Sequence, residues 1–339
     1  MVNIADILIP ISTFVTFFAV YLLVSLALNL QQGYTGIPNL GLFLSIIVGA
    51  VVTAVLPSRL AMVIYSVPPE LNFIEDNAQV VALLNVHLAS DPFTSIGLLL
   101  LTIVVAAGAG MVTGYLTSFF VRRLDETYLA VFLLALAEAA RTIGTYYRPL
   151  AGGNFGISMP NFVGWFGADY YYLGLFILIS SVSVLIFFLT ERLCHSPFGR
   201  LLRSIREDEL TAKTVGKDTN RVKMIVMALS SGILAVAGVL NTTRQAAAVI
   251  PTYDRIDFTF WPWLMVIVGG SGNNLGTLVG TISLISLRRV LIYMKPSLSF
   301  LPFSPIWFEH ILLGIILLLV MFRRPEGLIP EKPRKLQGP

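Results

Sequence analysis

Long apolar runs recur along the whole sequence and constrain its fold more than any other feature. A helix of about 20 apolar residues spans a hydrocarbon core of roughly 30 Å. Because lipid offers the backbone no hydrogen-bond partners, only helix bundles and closed barrels cross it, and barrel strands have about 10 alternating residues. We therefore predict an all-α, polytopic transmembrane helix bundle with about eight apolar segments, at about 9–30, 37–56, 93–120, 127–147, 172–190, 224–243, 262–292 and 305–322.

The charge content excludes an ordinary soluble domain and does not indicate nucleic-acid binding. Only 12% of the residues are Asp, Glu, Lys or Arg, against roughly 25% in soluble domains. The net charge of +4 is typical of a membrane protein with Lys and Arg in its cytoplasmic loops. The first 58 residues contain neither Lys nor Arg. The first run therefore lacks the basic region of a cleaved signal peptide, and we predict that it is a retained span.

Lys and Arg side chains are concentrated in two places. Residues 191–223 hold eight of them and residues 323–339 hold five, whereas the polar stretch 57–92 holds only Arg59. Cytoplasmic loops carry the excess of Lys and Arg in membrane proteins. We therefore predict one transmembrane permease domain, 1–322, with a cytoplasmic loop at 191–223 and an external loop at 57–92. A basic cytoplasmic tail follows at 323–339.

Two apolar runs are interrupted by glycine, proline and amide side chains. LNLQQGYTGIPNLGLF occupies 28–43, and GGSGNN occupies 269–274. The chain must cross the membrane an even number of times between the two basic regions, so 262–292 is predicted to be a hairpin or a double pass. Irregular backbone at membrane depth is tolerated where it lines a cavity or is buried in protein. Whether 31–56 is also re-entrant, and on which side the N-terminus lies, stays open.

Most acidic residues lie at the ends of the apolar runs or between them, and Glu138 is the clear exception inside the runs. It lies three residues before Arg141, on the same helix face, so the two can pair and lower the cost of burial. Glu138 is either half of a structural ion pair or a residue of a transport pathway.

The sequence contains no residues that would supply energy or catalysis. It has no G-x-x-x-x-G-K-[ST] phosphate loop and no nucleophile with a base at a plausible spacing. Its three histidines and Cys194 give no metal-ligand spacing. We therefore expect no metal, no bound cofactor and no enzymatic activity in this chain, and a driving force from elsewhere.

The charged segment SPFGRLLRSIREDELTAKTVGKD, 196–218, carries signals of order. Ser196, followed by Pro197, predicts a helix start, and Asp208 predicts a second one that ends at Gly216. A short capped helix that projects from a membrane bundle is suited to docking in a partner's groove. The partner that this chain lacks is an ATPase.

Five motifs, in order along the chain, resemble those of the permease subunits of ABC importers for branched-chain amino acids, in particular the LivM-like branch. They are LALNLQQGYTGIPNLG (26–41), LAGGNFGIS (150–158), SPFGRLLRSIREDELTAKTVGKDTNRVK (196–223), VIVGGSGNNLGTLVGT (266–281) and RPEGLIP (324–330). The resemblance implies an ABC importer permease fold in a prokaryotic cytoplasmic membrane. It also implies four kinds of partner: a second homologous permease subunit, two cytosolic ATPase subunits that hold ATP and Mg²⁺, an external solute-binding protein and the lipid bilayer.

The resemblance also implies roles for individual residues. Coupling to the ATPase is expected at Arg203, Arg206, Glu207, Asp208, Glu209, Ala212 and Gly216. Together with Glu138, the Gly-rich motifs give the predicted translocation pathway: Gly36, Asn39, Gly152, Gly153, Asn154, Gly269, Gly270, Ser271, Gly272 and Asn273. This chain departs from the family pattern at 39–42 and 154–156, which leaves its substrate open.

Two alternative functions stay open on sequence alone. The same fold can transport urea or short amides instead of apolar amino acids. An ion-coupled secondary carrier is the second alternative. Such carriers bury several ionisable groups as relays, whereas Glu138 is a single acidic residue. A membrane enzyme has no supporting group of residues.

Overall fold

A computed structural model describes residues 4–68, 70–167, 170–294 and 305–331 of the chain, and these are mostly helical. The helices are α1 (Ile4–Leu28), α2 (Leu42–Ile64), α3 (Asn77–Ser90), α4 (Pro92–Val121), α5 (Glu126–Tyr146), α6 (Arg148–Ala151), α7 (Tyr171–His195), α8 (Pro197–Glu207), α9 (Glu209–Thr214), α10 (Thr219–Gln245), α11 (Trp261–Gly269), α12 (Asn274–Met294) and α13 (Pro305–Arg323). Two short strands, β1 (Ile157–Ser158) and β2 (Ala247–Ala248), pair antiparallel. Within the described ranges, α1, α2, α4, α5, α7, α10 and α12 are long and apolar enough to cross a membrane. The predicted all-α polytopic bundle is confirmed.

The stretch 57–92, predicted to be a loop, is largely helical in the structure. α2 continues to Ile64, and α3 occupies much of the remainder. Val80, Leu84 and Leu88 are buried on one face of α3, which packs beside α2 and α4. Apolar residues one turn apart stabilise a helix on the surface of a bundle, and this spacing accounts for α3 within the stretch.

The interrupted run 262–292 folds as a helical hairpin, as its glycines predict. α11 ends and α12 begins on either side of the turn at 270–273. A π-helical turn, Ile256–Phe260, leads into α11. At 1.5 Å per residue the two together are about 21 Å long, shorter than the roughly 30 Å of a hydrocarbon core. α11 is therefore a short membrane helix that ends in an irregular turn.

Contacts with α1 give the directions of the two hairpin helices. The Ser25 hydroxyl lies 3.4 Å from the Met265 sulfur. Arg288 donates to the Tyr21 hydroxyl at 3.1 Å, and the Asn29 amide donates to Asn274 at 2.9 Å. α11 therefore runs parallel to α1, and α12 runs antiparallel to both.

The bundle has two chemically different ends, which α10 connects. α10 begins just after α9 and ends just before β2. We call the end that holds α8 and α9 the charged end. At the opposite end, the Asn77 side chain accepts a hydrogen bond from Ser158 N of β1 at 2.8 Å, and the Ser95 hydroxyl donates to Phe162 O at 2.9 Å. The N-terminal end of α1 also lies there, because α1 runs toward the charged end.

Small residues allow the central helices to approach closely. α10 lies between α4 and α2. Gly110 and Gly114 of α4 both face α10, and a Cβ at Gly114 would lie 2.6 Å from the Ser231 side chain. Membrane helices lack a hydrophobic driving force for association, so close backbone contact at small residues is what holds them together.

Candidate functional site

The charged end carries two short helices with well-formed caps. The Ser196 hydroxyl accepts from Phe198 N at 3.2 Å and starts α8. Asp208 Oδ1 accepts from the amides of Leu210 and Thr211 at 2.9 and 3.1 Å and starts α9. Gly216 has a φ of +81° one residue beyond the C-cap of α9. These three features confirm the predicted helix starts and the predicted stop.

The Asp208 cap is strengthened by a side-chain hydrogen bond. The Thr211 hydroxyl donates to Asp208 Oδ2 at 2.5 Å. This bond, and the backbone amides that also donate to the carboxylate, lower the pKa of Asp208 below its usual value. An ionised Asp at the positive end of a helix is stabilising.

The outer surface of α8 and α9 is a groove with exposed apolar side chains. The groove has a volume of about 720 Å³ and is lined by residues of both helices, among them Phe198, Leu201, Ser204, Glu207, Thr211 and Val215. Leu210 is 73% exposed and Val215 is 70% exposed. Large apolar side chains left in water at the tip of a capped helix indicate a surface that a partner covers.

Glu209 faces inward rather than toward that surface. Its carboxylate pairs with Lys213 at 3.0 Å and Lys223 at 2.6 Å, and it accepts from the Thr219 hydroxyl at 3.0 Å. Burial alone would raise the pKa of Glu209, but the hydrogen bonds from the two lysines outweigh it and lower the pKa to about 2. Glu209 thus attaches α9 to the start of α10.

Arg203 and Arg206 also point inward, toward the end of the described chain. Arg203 Nε lies 2.5 Å from Glu331 Oε1, and Arg206 Nη2 lies 2.6 Å from Glu331 Oε2. The Arg206 guanidinium also donates to the Gly33 carbonyl. Among the predicted coupling residues, Glu207 is exposed and Ala212 is buried.

The two broken runs meet beneath α8 in a chain of buried amides. Asn29 accepts from Gly272 N at 2.8 Å and donates to Asn274 at 2.9 Å. Asn274 in turn donates to Glu191 of α7 at 2.8 Å. Asn29 lies in a π-helical turn, Asn29–Gly33, at the end of α1. Such turns are frequent at functional sites.

Several predicted pathway residues belong to this junction. Gly36 packs against the Arg206 side chain, and a Cβ at Gly270 would collide with the Ile329 carbonyl. Asn273 Oδ1 accepts from Leu275 N at 3.0 Å and caps α12. Gly269 and Gly272 are buried, whereas Ser271 is exposed. The structure therefore brings Gly36 and the turn at 269–273 together at the charged end.

The remaining predicted pathway residues lie elsewhere. Gly152 and Gly153 have φ values of +75° and +68° and precede the exposed Asn154 at the opposite end. Asn39 lies between the breaks, where its carbonyl accepts from the Trp263 indole at 3.0 Å. The predicted set therefore extends along the bundle and does not form one compact site.

Glu138 pairs with Arg141 at 2.8 Å, as predicted. Arg255 approaches the same carboxylate at 3.8 Å. A second ion pair involves Arg288, a basic residue of α12 that lies within the run 262–292. Its guanidinium lies 2.7 Å from the Asp257 carboxylate. The doublet Arg288-Arg289 is visible in the sequence and could have revealed this second pair.

Comparison with known proteins completes the description of the site. A model of the family described as "Branched-chain amino acid transport system / permease component" matches residues 11–321. The match covers both broken runs, α8 and α9. The chain belongs to this permease family.

Curated relatives of the permease carry consistent names. This chain is 36% identical over 326 residues to the "Probable branched-chain amino acid transport permease protein LivM" of Methanocaldococcus jannaschii. The alignment covers 95% of this chain and 94% of that protein. It is 26% identical to the "High-affinity branched-chain amino acid transport system permease protein LivM" of Salmonella typhimurium, over 66% of this chain and 56% of the relative. The Escherichia coli protein of the same name is 26% identical, over 64% and 54%. No solved structure matches the chain.

Proposed function

We propose that the permease is the membrane-spanning subunit of an ATP-driven ABC importer for branched-chain or other apolar amino acids. The observation that carries this proposal is the capped module of α8 and α9, whose groove and exposed Leu210 and Val215 form a docking surface on a membrane bundle. The printed names of the relatives support the substrate class. ATP and Mg²⁺ are held by the ATPase subunits, and this chain acts as a conduit rather than as an enzyme.

The charge distribution supports a definite orientation in the membrane. Residues 191–223 hold eight of the Lys and Arg side chains, which supports a cytoplasmic position for the charged end by the positive-inside rule. The membrane would be the cytoplasmic membrane of a prokaryote. The opposite end, with the N-terminus, the stretch 57–92 and the Gly152–Asn154 turn, is then external. The permease domain is 1–322, and the cytoplasmic tail at 323–339 includes Lys332, Arg334 and Lys335, which lie outside the described residues.

Each end of the bundle has a surface for one class of partner. A pair of ATPases binds at the charged end, where Glu207, Leu210 and Val215 face outward. The conformation of that surface is stabilised by residues that cap α9 or pack beneath it: Asp208, Glu209, Ala212 and Gly216. At the external end, Phe155 is 93% exposed and Tyr146 is 82% exposed, which suits contact with the solute-binding protein. A second, homologous permease subunit completes the heterodimer.

The translocation pathway follows the irregular backbone between the two ends. Broken helices in transporters expose backbone groups to a substrate while remaining within the protein. The pathway would pass the external turn at 152–154 and Asn39 before it reaches the turn at 269–273 and Gly36. Glu138 lies on α5, where it is paired with Arg141.

Removal of one exposed leucine tests the docking surface. Leu210→Ser is expected to lower co-purification of the cognate ATPase by about tenfold or more, because a buried apolar anchor contributes much of an interface's free energy. The matched control is Phe155→Ser, which removes an even more exposed apolar side chain at the opposite end and leaves ATPase binding unchanged. Membrane insertion and yield stay the same in both variants. Full ATPase binding by Leu210→Ser would contradict docking at α9.

A further inference from the structure

We propose that residues 324–331, the tail strap, transmit the movement of α8 to both broken membrane helices, with Glu331 as the positioning residue. The inference rests on the proposed function, because it concerns how work received at α8 and α9 reaches the pathway. Three sets of contacts carry it.

The first set joins the tail strap to α8. One carboxylate, that of Glu331, pairs with Arg203 at 2.5 Å and with Arg206 at 2.6 Å. The two arginines are three residues apart and therefore lie on one face of the helix. All three side chains are about one quarter exposed, so water screens these pairs only in part. Arg206 Nη2 donates a charge-assisted hydrogen bond to Glu331, and Arg203 adds an ion pair to the same carboxylate.

The second set joins the tail strap to the end of α11. Leu328 N donates to Val268 O at 2.8 Å, and Ile329 N donates to Gly269 O at 3.0 Å. The last carbonyls of a helix have no partner within that helix, and the strap supplies two of the missing donors. Gly327 has a φ of +80° and lies directly against Gly270. The backbones of the tail strap and of the turn after α11 are therefore in van der Waals contact.

The third set joins the same arginine to the break in α1. The Arg206 guanidinium donates to the carbonyl of Gly33, the last residue of the π-helical turn. Gly272 N, in the turn after α11, donates to Asn29 of that π turn at 2.8 Å. Arg206 is therefore in direct contact with the α1 break, and Arg206 and Glu331 together lie against Gly272 in the turn after α11.

α8 is attached to the bundle in two ways. Its arginines make the polar contacts described above, and its apolar side chains pack in a buried cluster. Leu202 and Ile205 of α8 are buried in a cluster with Leu30 and Tyr34, so the helix stays folded on the bundle without Glu331. Loss of the carboxylate would leave α8 able to bind the ATPase but would release Arg203 and Arg206 from the tail strap that is bonded to the end of α11. Transmission would then fail while assembly persists.

The experiment compares two glutamates of the tail strap. Glu331→Gln keeps the shape of the side chain but removes its charge, and Glu326→Gln is the control, since Glu326 is exposed in the same segment. In proteoliposomes with ATPases, second permease and binding protein, Glu331→Gln is expected to lower leucine moved per ATP hydrolysed by roughly fivefold to tenfold, which corresponds to a coupling free energy of about 1–1.4 kcal/mol. ATPase binding stays unchanged in Glu331→Gln. In Glu326→Gln the leucine moved per ATP hydrolysed also stays unchanged. A ratio within about twofold of the unsubstituted assembly, on that same scale, would overturn the proposal.

Two further measurements separate transmission from folding. Hydrogen exchange at the amides of Leu328 and Ile329 is expected to accelerate in Glu331→Gln and not in Glu326→Gln. Arg203→Gln removes the partner of Glu331 in the Arg203–Glu331 ion pair, so its effect on the leucine moved per ATP hydrolysed is not additive with that of Glu331→Gln. Full additivity of the two effects would overturn the role of this ion pair. An unsubstituted assembly that hydrolyses ATP but moves no amino acid would contradict the proposed function, and the transmission role with it. Normal transport with an unaffected Glu331→Gln contradicts the transmission role alone.

Discussion

At the scale of single residues, the polar side chains of the charged end differ in how far away their partners lie. The caps at Ser196, Asp208 and Gly216 act within three residues of their own positions, and this is why the sequence predicts them. Arg206 and Glu331 are separated by 125 positions, and no local pattern joins them. Sequence reasoning therefore assigned Arg203 and Arg206 to the partner surface, whereas the structure turns them toward the tail strap.

The pKa of Glu209 gives a prediction at this scale. Because the pKa is lowered from an ordinary 4.5 to about 2, ionised Glu209 stabilises the α9–α10 junction above pH 4.5. This stabilisation is lost progressively as the pH falls toward 2. Hydrogen exchange of the α9 amides, corrected for intrinsic rates, should therefore accelerate between pH 6 and pH 3.

Glu209→Gln is the control for the pH experiment. The variant lacks the charge that Lys213 and Lys223 pair with, so its α9 amides should exchange fast at both pH values. An equal pH dependence in the variant and the unsubstituted chain would show that another group, such as Asp208, is responsible.

At the scale of elements, the length of the apolar runs predicted the long helices and the capping residues predicted α8 and α9, whereas α3 was not predicted. Seven long helices follow from apolar runs that are long enough to span lipid. α3 was missed because it begins at the end of a segment rich in Pro, Asn and acidic residues, 68–77, although Val80, Leu84 and Leu88 recur at helical spacing. The split of 262–292 into α11 and α12 was predicted from its glycines. The contacts between that turn and α1 were not, since they depend on how the helices pack.

Helix packing gives a prediction for two glycines of one element. Gly114→Leu in α4 should prevent close contact with α10, because a Cβ there already lies 2.6 Å from Ser231. Overpacking of this kind costs about 1–3 kcal/mol or more. Gly108→Leu is the matched control in the same helix, since a Cβ at that position meets no atom within 4 Å. The measurement is the folded fraction and melting temperature in detergent.

The packing account makes a clear distinction between the two glycine variants. Gly114→Leu should lower the melting temperature by about 2–4 °C, in line with a loss of 1–3 kcal/mol, and Gly108→Leu should leave it unchanged. Equal melting temperatures for the two variants would mean that α4 and α10 are free to separate.

At the scale of the whole molecule, four of the five sequence motifs converge on the charged end. The N-terminal break, α8 with α9, the turn at 269–273 and the tail strap are in direct contact there, and the fifth motif, at 150–158, lies at the opposite end. Their order along the chain indicates the family, but only the fold shows that they form one junction. This arrangement places the surface for an energy-supplying partner directly beside the broken helices that such a partner would move.

The most direct test of this account is leucine uptake into proteoliposomes under two conditions. In the first, the permease alone is reconstituted and given an ion gradient; in the second, it is assembled with its ATPases, second permease and binding protein, and given ATP. We predict no uptake above empty vesicles in the first condition, and ATP-dependent uptake that unlabelled isoleucine and valine, but not urea, compete with in the second. Leucine uptake by the permease alone, driven by the ion gradient, would contradict the account.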